Sequence, residues 1–215
     1  MKIALLGAES TGKTRLAGEL AARLRAQGKS VAVVPEVLRD WCQREGREPR
    51  PEEQLPIARE QERLVTQAAH GADVAIADTT ALMVAIYSGM LFEDGELYRY
   101  ALERQRRYDL TLVTGLDLPW VADGLQRQGP QVREQVDALV RQALAAAGVP
   151  YRVVYGQGEQ RVANALAAID SATPTPAGPA GRPWTWVCDK CSDPQCELRL
   201  FTAIATGLPD AVART

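Results

Sequence analysis

The chain has 215 residues, 25 Lys and Arg against 27 Asp and Glu, a formal net charge of −2 and 46 % hydrophobic residues. That length suits one α/β domain plus a small appendage. The balanced charge, with no basic block or patterned basic helix, argues against a nucleic-acid surface, and no run approaches the roughly 20 apolar residues of a membrane span. Met1–Ala8 does not read as a signal peptide, because its apolar run is too short. The expectation is a soluble cytoplasmic protein whose four cysteines are mostly reduced.

The first predicted strand is Ile3–Leu6. It runs into Gly7-Ala8-Glu9-Ser10-Thr11-Gly12-Lys13-Thr14, which reads G-x-x-x-x-G-K-[ST], and then into Arg15–Leu24, whose apolar residues fall at helical spacing. Strand, glycine loop and helix N-terminus together set a row of backbone N–H groups around a phosphate chain, and the helix dipole adds to the attraction. Gly7, Glu9, Ser10, Thr11, Gly12, Lys13 and Thr14 are the candidate nucleotide-binding residues. Lys13 reaches the β- and γ-phosphates, and the Thr14 hydroxyl holds Mg²⁺. The competing reading is a chance glycine-rich turn before a helix.

Four further strands are predicted at Ser30–Val34, Asp73–Ala77, Leu110–Thr114 and Tyr151–Tyr155. They are near-continuously apolar, as parallel strands covered on both faces must be. Helices are predicted between and after them at 35–45, 52–70, 80–90, 95–107, 131–147 and 158–170. The alternation gives an α/β fold, a P-loop NTPase with a doubly wound five-stranded parallel sheet. Residues 171–181 are rich in Pro, Ala and Gly and read as a linker, so the P-loop domain covers 1–170. Residues 182–215 form a small cysteine-containing extension.

Ligands of such sheets sit outside the carboxyl ends of the strands. At the end of the second strand stands Pro35-Glu36-Val37-Leu38-Arg39. Glu36 there can take a proton from an acceptor hydroxyl, and Arg39, one helical turn on, can hold that substrate. The alternative makes Glu36 an ordinary acidic residue at a helix start. Asp78 ends the third strand, where a carboxylate holds Mg²⁺, or else caps the helix that follows. Beyond the fourth strand, 115–130 is a long glycine-bounded stretch. A mobile lid there would exclude water, with Arg127 and Arg133 neutralising developing charge; the alternative is a plain surface loop. Gln61 on the 52–70 helix could reach a base or ribose, against the blander reading of that helix's charged residues as a solvated face. Trp41 and Tyr87 could stack on a base or simply pack.

The extension carries Cys188-x-x-Cys191 and Cys196. The spacing suits structural zinc, with Cys42, His70 or a carboxylate as fourth ligand. Unliganded thiols and a redox pair are the alternatives.

The ordered set Gly7–Thr14, Pro35-Glu36-x-x-Arg39, Asp78-Thr79 and Trp120-x-x-Asp123-Gly124-Leu125-x-Arg127 resembles the nicotinamide-riboside kinase domain of NadR-type proteins, within a wider group of NadR-like P-loop ATPases. The resemblance covers about residues 1–170. It implies sheet order 2-3-1-4-5, ATP with Mg²⁺, and phosphorylation of a nucleoside 5′-hydroxyl. It supports Glu36 as base or substrate ligand. Glu36, Arg39, Gln61, Asp123 and Arg133 are together the candidate acceptor-binding residues. Three departures stand out: Val37 replaces a tyrosine-like position, Thr80 replaces a second acid, and no nucleotidyltransferase segment precedes the P-loop in this sequence. The first two bear on the acceptor, not on phosphoryl transfer.

Two functions follow as expectations. One is an ATP-dependent kinase acting on a small-molecule nucleoside, with Lys13, Glu36, Asp78 and Arg127 in the chemistry. The other is a nucleotide-dependent switch ATPase whose tail binds a partner. The absence of a guanine-reading N-K-x-D after the fourth strand favours ATP.

Overall fold

A computed structural model describes residues 1–91, 95–121 and 130–172. Asp123, Arg127, the linker beyond Ala172 and the extension with Cys188, Cys191 and Cys196 lie outside the described residues. The elements run β1 (Lys2–Leu6), α1 (Lys13–Ala26), β2 (Val31–Val34), α2 (Val37–Glu45), α3 (Pro51–Gly71), β3 (Val74–Asp78), α4 (Ala81–Leu91), α5 (Gly95–Gln105), β4 (Leu110–Thr114), α6 (Pro130–Ala146), β5 (Arg152–Val154) and α7 (Gly158–Ala172). All strand pairs are parallel and the order is β2-β3-β1-β4-β5. Both the doubly wound sheet and its order agree with expectation.

The apolar strands have two buried faces because side chains alternate along a strand. Ile3 and Leu5 of β1 pack with Leu16, Leu20 and Leu24 of α1 and with Val162 and Ile169 of α7. Leu6 faces the other layer, where α4 and α6 supply Leu82, Met83, Ile86, Val136, Val140 and Leu144. Helix α4 is apolar almost throughout, and Ala81 to Ile86 are all at most 3 % exposed. It is a core helix, enclosed by α3, α5 and α6. Leu5 of β1 stands opposite Asp78 of β3 on one side and Leu112 of β4 on the other. The P-loop therefore leaves the sheet from its centre, beside the strand end that carries Asp78.

Helix α2 begins at Val37 and not at residue 35. Glu36 is its N-cap residue, with extended backbone at φ −71° and ψ 106°, and is thereby left at the strand end. The larger departure is in α3. The expected solvated charged face holds for the exposed Glu60–Arg63 ion pair, but Gln54, Gln61 and Glu62 are 3 %, 1 % and 7 % exposed. They share the helical face of Ile57, Ala58 and Val65, and each finds a hydrogen-bond partner inside.

Glu62 accepts a hydrogen bond from the Ala81 N–H at 3.2 Å and one from the Tyr108 hydroxyl at 3.1 Å. Burial holds its carboxyl above the ordinary range, against those two hydrogen bonds. A raised value in the folded state favours the protonated acid. Its contribution to stability is full below the unfolded value and is lost as pH rises through the folded one. Glu62→Gln keeps the accepting oxygen and removes the ionisation. We expect it to melt a few degrees above wild type at pH 7.5, with the gain gone near pH 4; thermal unfolding at the two pH values is the check.

Candidate active site

The phosphate loop bends through three residues in the left-handed region: Gly7 at φ 140°, Ser10 at 52° and Gly12 at 75°. A Cβ on Gly7 would stand 2.2 Å from Thr114 Oγ1, so only glycine follows this path against β4. The Thr11 hydroxyl donates to the Ala8 carbonyl at 2.7 Å, and the Thr114 hydroxyl donates to Thr11 Oγ1 at 2.7 Å. Lys13 is 7 % exposed. Its Nζ donates to the carbonyls of Gly7, at 2.9 Å, and Ala8, at 2.8 Å. Burial lowers the Lys13 pKa, while the nearby carboxylates of Glu36, Asp78 and Glu9 work in the other direction. The ammonium is thus folded onto its own loop, with acidic groups around it.

From Thr14 a chain of polar contacts crosses to β2. The Thr14 hydroxyl donates to Asp78 Oδ2 at 2.5 Å, and Arg39 Nη1 donates to Thr14 Oγ1 at 3.0 Å. Arg39 Nη2 lies 2.5 Å from Glu36 Oε2. Glu36 makes no side-chain cap to α2 despite its N-cap position. Nor does Asp78 cap α4: the first N–H groups of that helix go to Glu62 and to the Thr80 hydroxyl. Asp78 is 1 % exposed, and its Oδ1 has no hydrogen-bond partner among the described residues. An orphaned carboxylate oxygen beside a threonine hydroxyl is a donor set that fits a small hard divalent cation. Thr79, directly after Asp78, is held at φ 73°, and its N–H donates to the Leu5 carbonyl at 3.1 Å. A β-branched residue rarely adopts that conformation, and here it turns the chain sharply off the strand end.

Gln61 does not reach out toward a ligand. Its amide oxygen accepts from the Val37 N–H at 2.9 Å and its amide nitrogen donates to the Pro35 carbonyl at 3.2 Å. Both bonds bracket Glu36, so Gln61 fixes the backbone that carries the carboxylate. Arg133 is 6 % exposed and donates to the Leu118 carbonyl at 3.0 Å. It anchors the root of the 115–130 stretch from α6. That root lies on the phosphate loop: the Ser10 hydroxyl donates to the Val121 carbonyl, and Leu118 Cδ1 is 3.0 Å from where a Cβ on Gly12 would stand.

Trp41 packs against the core with the Arg47 guanidinium 4.8 Å from its ring, and Tyr87 packs against the same cluster. Cys42 is buried, and burial pushes its thiol up to about 11. His70 Nδ1 bonds the Thr66 carbonyl of its own helix at 2.6 Å. Among the described residues no three His, Cys, Asp or Glu side chains form a metal cluster.

One residue at the loop escaped the sequence reading. Arg161 of α7 is 4 % exposed and donates to the Thr11 carbonyl at 2.8 Å, the Gly156 carbonyl at 3.0 Å and Asp117 Oδ1 at 3.1 Å. Its signal was an arginine on the Val162–Ala165–Ile169 face of an amphipathic helix, where a charge must have partners.

The family model described as an AAA domain matches residues 2–161. Among solved structures the chain is similar to a NadR protein in complex with NAD and AMP-PNP, at TM-score 0.64 and 16 % identity, covering 84 % of this chain and 51 % of that one. It is also similar to a NadR protein in complex with NR, at TM-score 0.65 and 19 % identity, covering 81 % and 52 %. A third is deoxyadenosine kinase from M.mycoides with products dcmp and a flexible dcdp bound, at TM-score 0.54 and 16 % identity, covering 80 % and 100 %. The chain spans about half the length of the NadR structures it matches. A search of curated proteins finds no match. At these identities the structural likeness establishes a shared fold, and the match over residues 2–161 establishes membership: the chain belongs to the AAA domain family of P-loop nucleotide-binding proteins.

Proposed function

We propose that this domain is a nucleoside-type kinase that transfers the γ-phosphoryl group of Mg-ATP to a nucleoside hydroxyl. The observation that carries the reading is the polar chain Glu36–Arg39–Thr14–Asp78. It sets a carboxylate at the end of β2, one side chain away from the residues that would hold the metal. A carboxylate there can take the proton of an acceptor hydroxyl or of water, and acceptor dependence of turnover separates the two. The fold shared with a deoxyadenosine kinase supports the reading.

In this scheme the loop N–H groups and Lys13 hold the β- and γ-phosphates. Thr14 and Asp78 would hold Mg²⁺, which when bound supplies electrostatic stabilisation of the transferring phosphoryl group. Glu36 accepts the proton of the attacking hydroxyl, and Arg39 moves from Glu36 to the substrate as the site fills. Arg127 acts on developing charge, and Asp123 contacts the acceptor. Arg133 and Gln61 serve by anchoring the lid root and the Glu36 backbone. Nicotinamide riboside is the first acceptor to try, on the residues of the family resemblance and on the NadR structure bound to NR. The wider reading is of a 1–170 kinase domain, a 171–181 linker and a 182–215 extension, acting in the cytoplasm on small molecules, without nucleic-acid or membrane partners. Zinc at Cys188, Cys191 and Cys196 belongs to it too and is supported by their spacing.

The test is ATP turnover alone and then with a nucleoside panel that includes nicotinamide riboside. We expect near-idle hydrolysis alone and an acceleration of about a hundredfold or more with one acceptor. Rapid turnover that no nucleoside accelerates would turn the assignment toward a switch ATPase.

A further inference from the structure

Binding a phosphate chain with backbone N–H groups sets a problem on the other side of the loop. A trans peptide is planar, and its C=O and N–H point in opposite directions. There are no cis peptide bonds among the described residues. Each N–H turned toward the phosphate therefore turns the preceding carbonyl into the protein, where it needs a donor. The carbonyl of Thr11 and the N–H of Gly12 belong to one such peptide. The carbonyl is bound by Arg161 Nη2 at 2.8 Å in a buried contact, so the Gly12 N–H points away from Arg161, toward the side where a P-loop holds its phosphates.

The guanidinium is itself fixed. Its Nη1 donates to the Gly156 carbonyl and to Asp117 Oδ1, and the Gly156 N–H donates to Asp117 Oδ2 at 2.6 Å. Asp117 is held below the ordinary carboxylate range: burial pushes it up, and the hydrogen bonds from the Gly156 N–H and Arg161 outweigh that. Asp117 follows β4, Gly156 follows β5 and Arg161 lies on α7, so one side chain joins three elements under the phosphate loop. Burying a guanidinium costs more than burying a methionine of similar length, and a buried ion pair is weak evidence for a stability role. Arg161 Nε is also buried without a hydrogen-bond partner among the described residues. Gly12 is the N-cap residue of α1, at φ 75° with no side-chain cap, so its backbone is intrinsically permissive, and the Arg161 bond adds a restraint on the peptide before it.

We propose that Arg161 is a positioning residue for the nucleotide. It locks the Thr11–Gly12 peptide so that the Gly12 N–H is aimed at the phosphate chain, and Asp117 holds Arg161 in the orientation that does so. The inference rests on the nucleotide-binding reading of the loop, not on the identity of the acceptor.

The experiment is titration of the full chain with Mg-AMP-PNP and, separately, with inorganic tripolyphosphate, which has no base or ribose. Wild type, Arg161→Met, Arg161→Lys and Asp117→Asn are compared, each with its melting temperature. Expected is a roughly tenfold or greater loss of affinity for both probes in Arg161→Met, by the scale of one lost hydrogen bond to a charged group. Arg161→Lys should recover part of it, because one ammonium can still reach the Thr11 carbonyl. Asp117→Asn should lose less than Arg161→Met. A folded Arg161→Met that binds both probes as wild type does would overturn the proposal. So would a loss confined to AMP-PNP, since the fault would then lie at the base or sugar. If Arg161→Met fails to fold, the other two decide: wild-type tripolyphosphate affinity in both overturns it, and a graded loss supports it. Failure of wild type to bind AMP-PNP at all would instead sink the nucleotide-binding reading itself.

Discussion

Lys13→Ala is expected to remove nearly all phosphoryl transfer, with a fall in the single-turnover rate of about 10²–10³ and weaker binding of AMP-PNP. The side chain is buried, and its ammonium already sits at the mouth of the loop on the Gly7 and Ala8 carbonyls. Among the described residues no carboxylate pairs with it directly; Glu36, Asp78 and Glu9 act on it through space. A triphosphate offers a far stronger partner, so the ammonium moves from carbonyls to phosphate and stabilises charge that grows during transfer. Alanine leaves that charge uncompensated in a pocket that already holds the carboxylates of Glu36, Asp78 and Glu9. The loss should therefore exceed the loss in ground-state affinity. Weaker AMP-PNP affinity with the saturating single-turnover rate unchanged would mean that Lys13 only binds, and would remove it from the chemistry. The folded state should survive, because the two carbonyls lose a donor at a surface that water can reach once the side chain is gone.

The sheet was legible because its signals are local and repeated. Five apolar runs alternate with helical periodicity, and the spacing of Gly7 and Gly12 with Lys13 and Thr14 between strand and helix favours a phosphate loop over a chance turn. The position of Asp78 followed from the same logic, since the register that sets Leu5 beside it is imposed by two buried faces. What was not legible depends on partners far away in sequence. Gln61 reads as a polar residue on a charged helix until the Pro35–Val37 backbone is placed 24 and 26 residues away from it. Glu62 reads the same way until Ala81 and Tyr108 arrive. Helical spacing from Ile57 and Val65 pointed both inward, yet the charge pattern of the stretch hid it. Arg161 is the extreme case. Its main acceptor, the Thr11 carbonyl, is 150 residues away and is a backbone atom, which no residue pattern records. The reach of Arg39 to Thr14 was partly legible: its place one turn after Glu36 was read from spacing, but its contact with the phosphate loop was not.

Glu36→Gln is the second large effect and the one that separates a kinase from a generic P-loop ATPase. The carboxylate is held at the end of β2 by the Gln61 bracket and paired with Arg39 at 2.5 Å. Arg39 in turn touches Thr14, so the pair stands next to where a γ-phosphate would lie. Glutamine preserves the size of the side chain and one accepting oxygen but cannot take a proton. If Glu36 is the general base, the chemical step should slow by about 10²–10⁴. Affinity for AMP-PNP should stay near wild type, because the loop, Lys13 and Thr14 are untouched. The Arg39 pair weakens at the same time, so an acceptor-independent effect has to be separated from the acceptor-dependent one. Single-turnover phosphorylation at saturating acceptor isolates the chemistry, and slow hydrolysis without acceptor supplies the baseline. A rate that falls only with acceptor present assigns the proton to Glu36. Equal slowing of both reactions assigns it to orienting Arg39 and the metal-side residues. Acceptor phosphorylation at the wild-type rate would leave Glu36 as a helix-start acid, and the case for a hydroxyl acceptor would then lose the residue on which it stands.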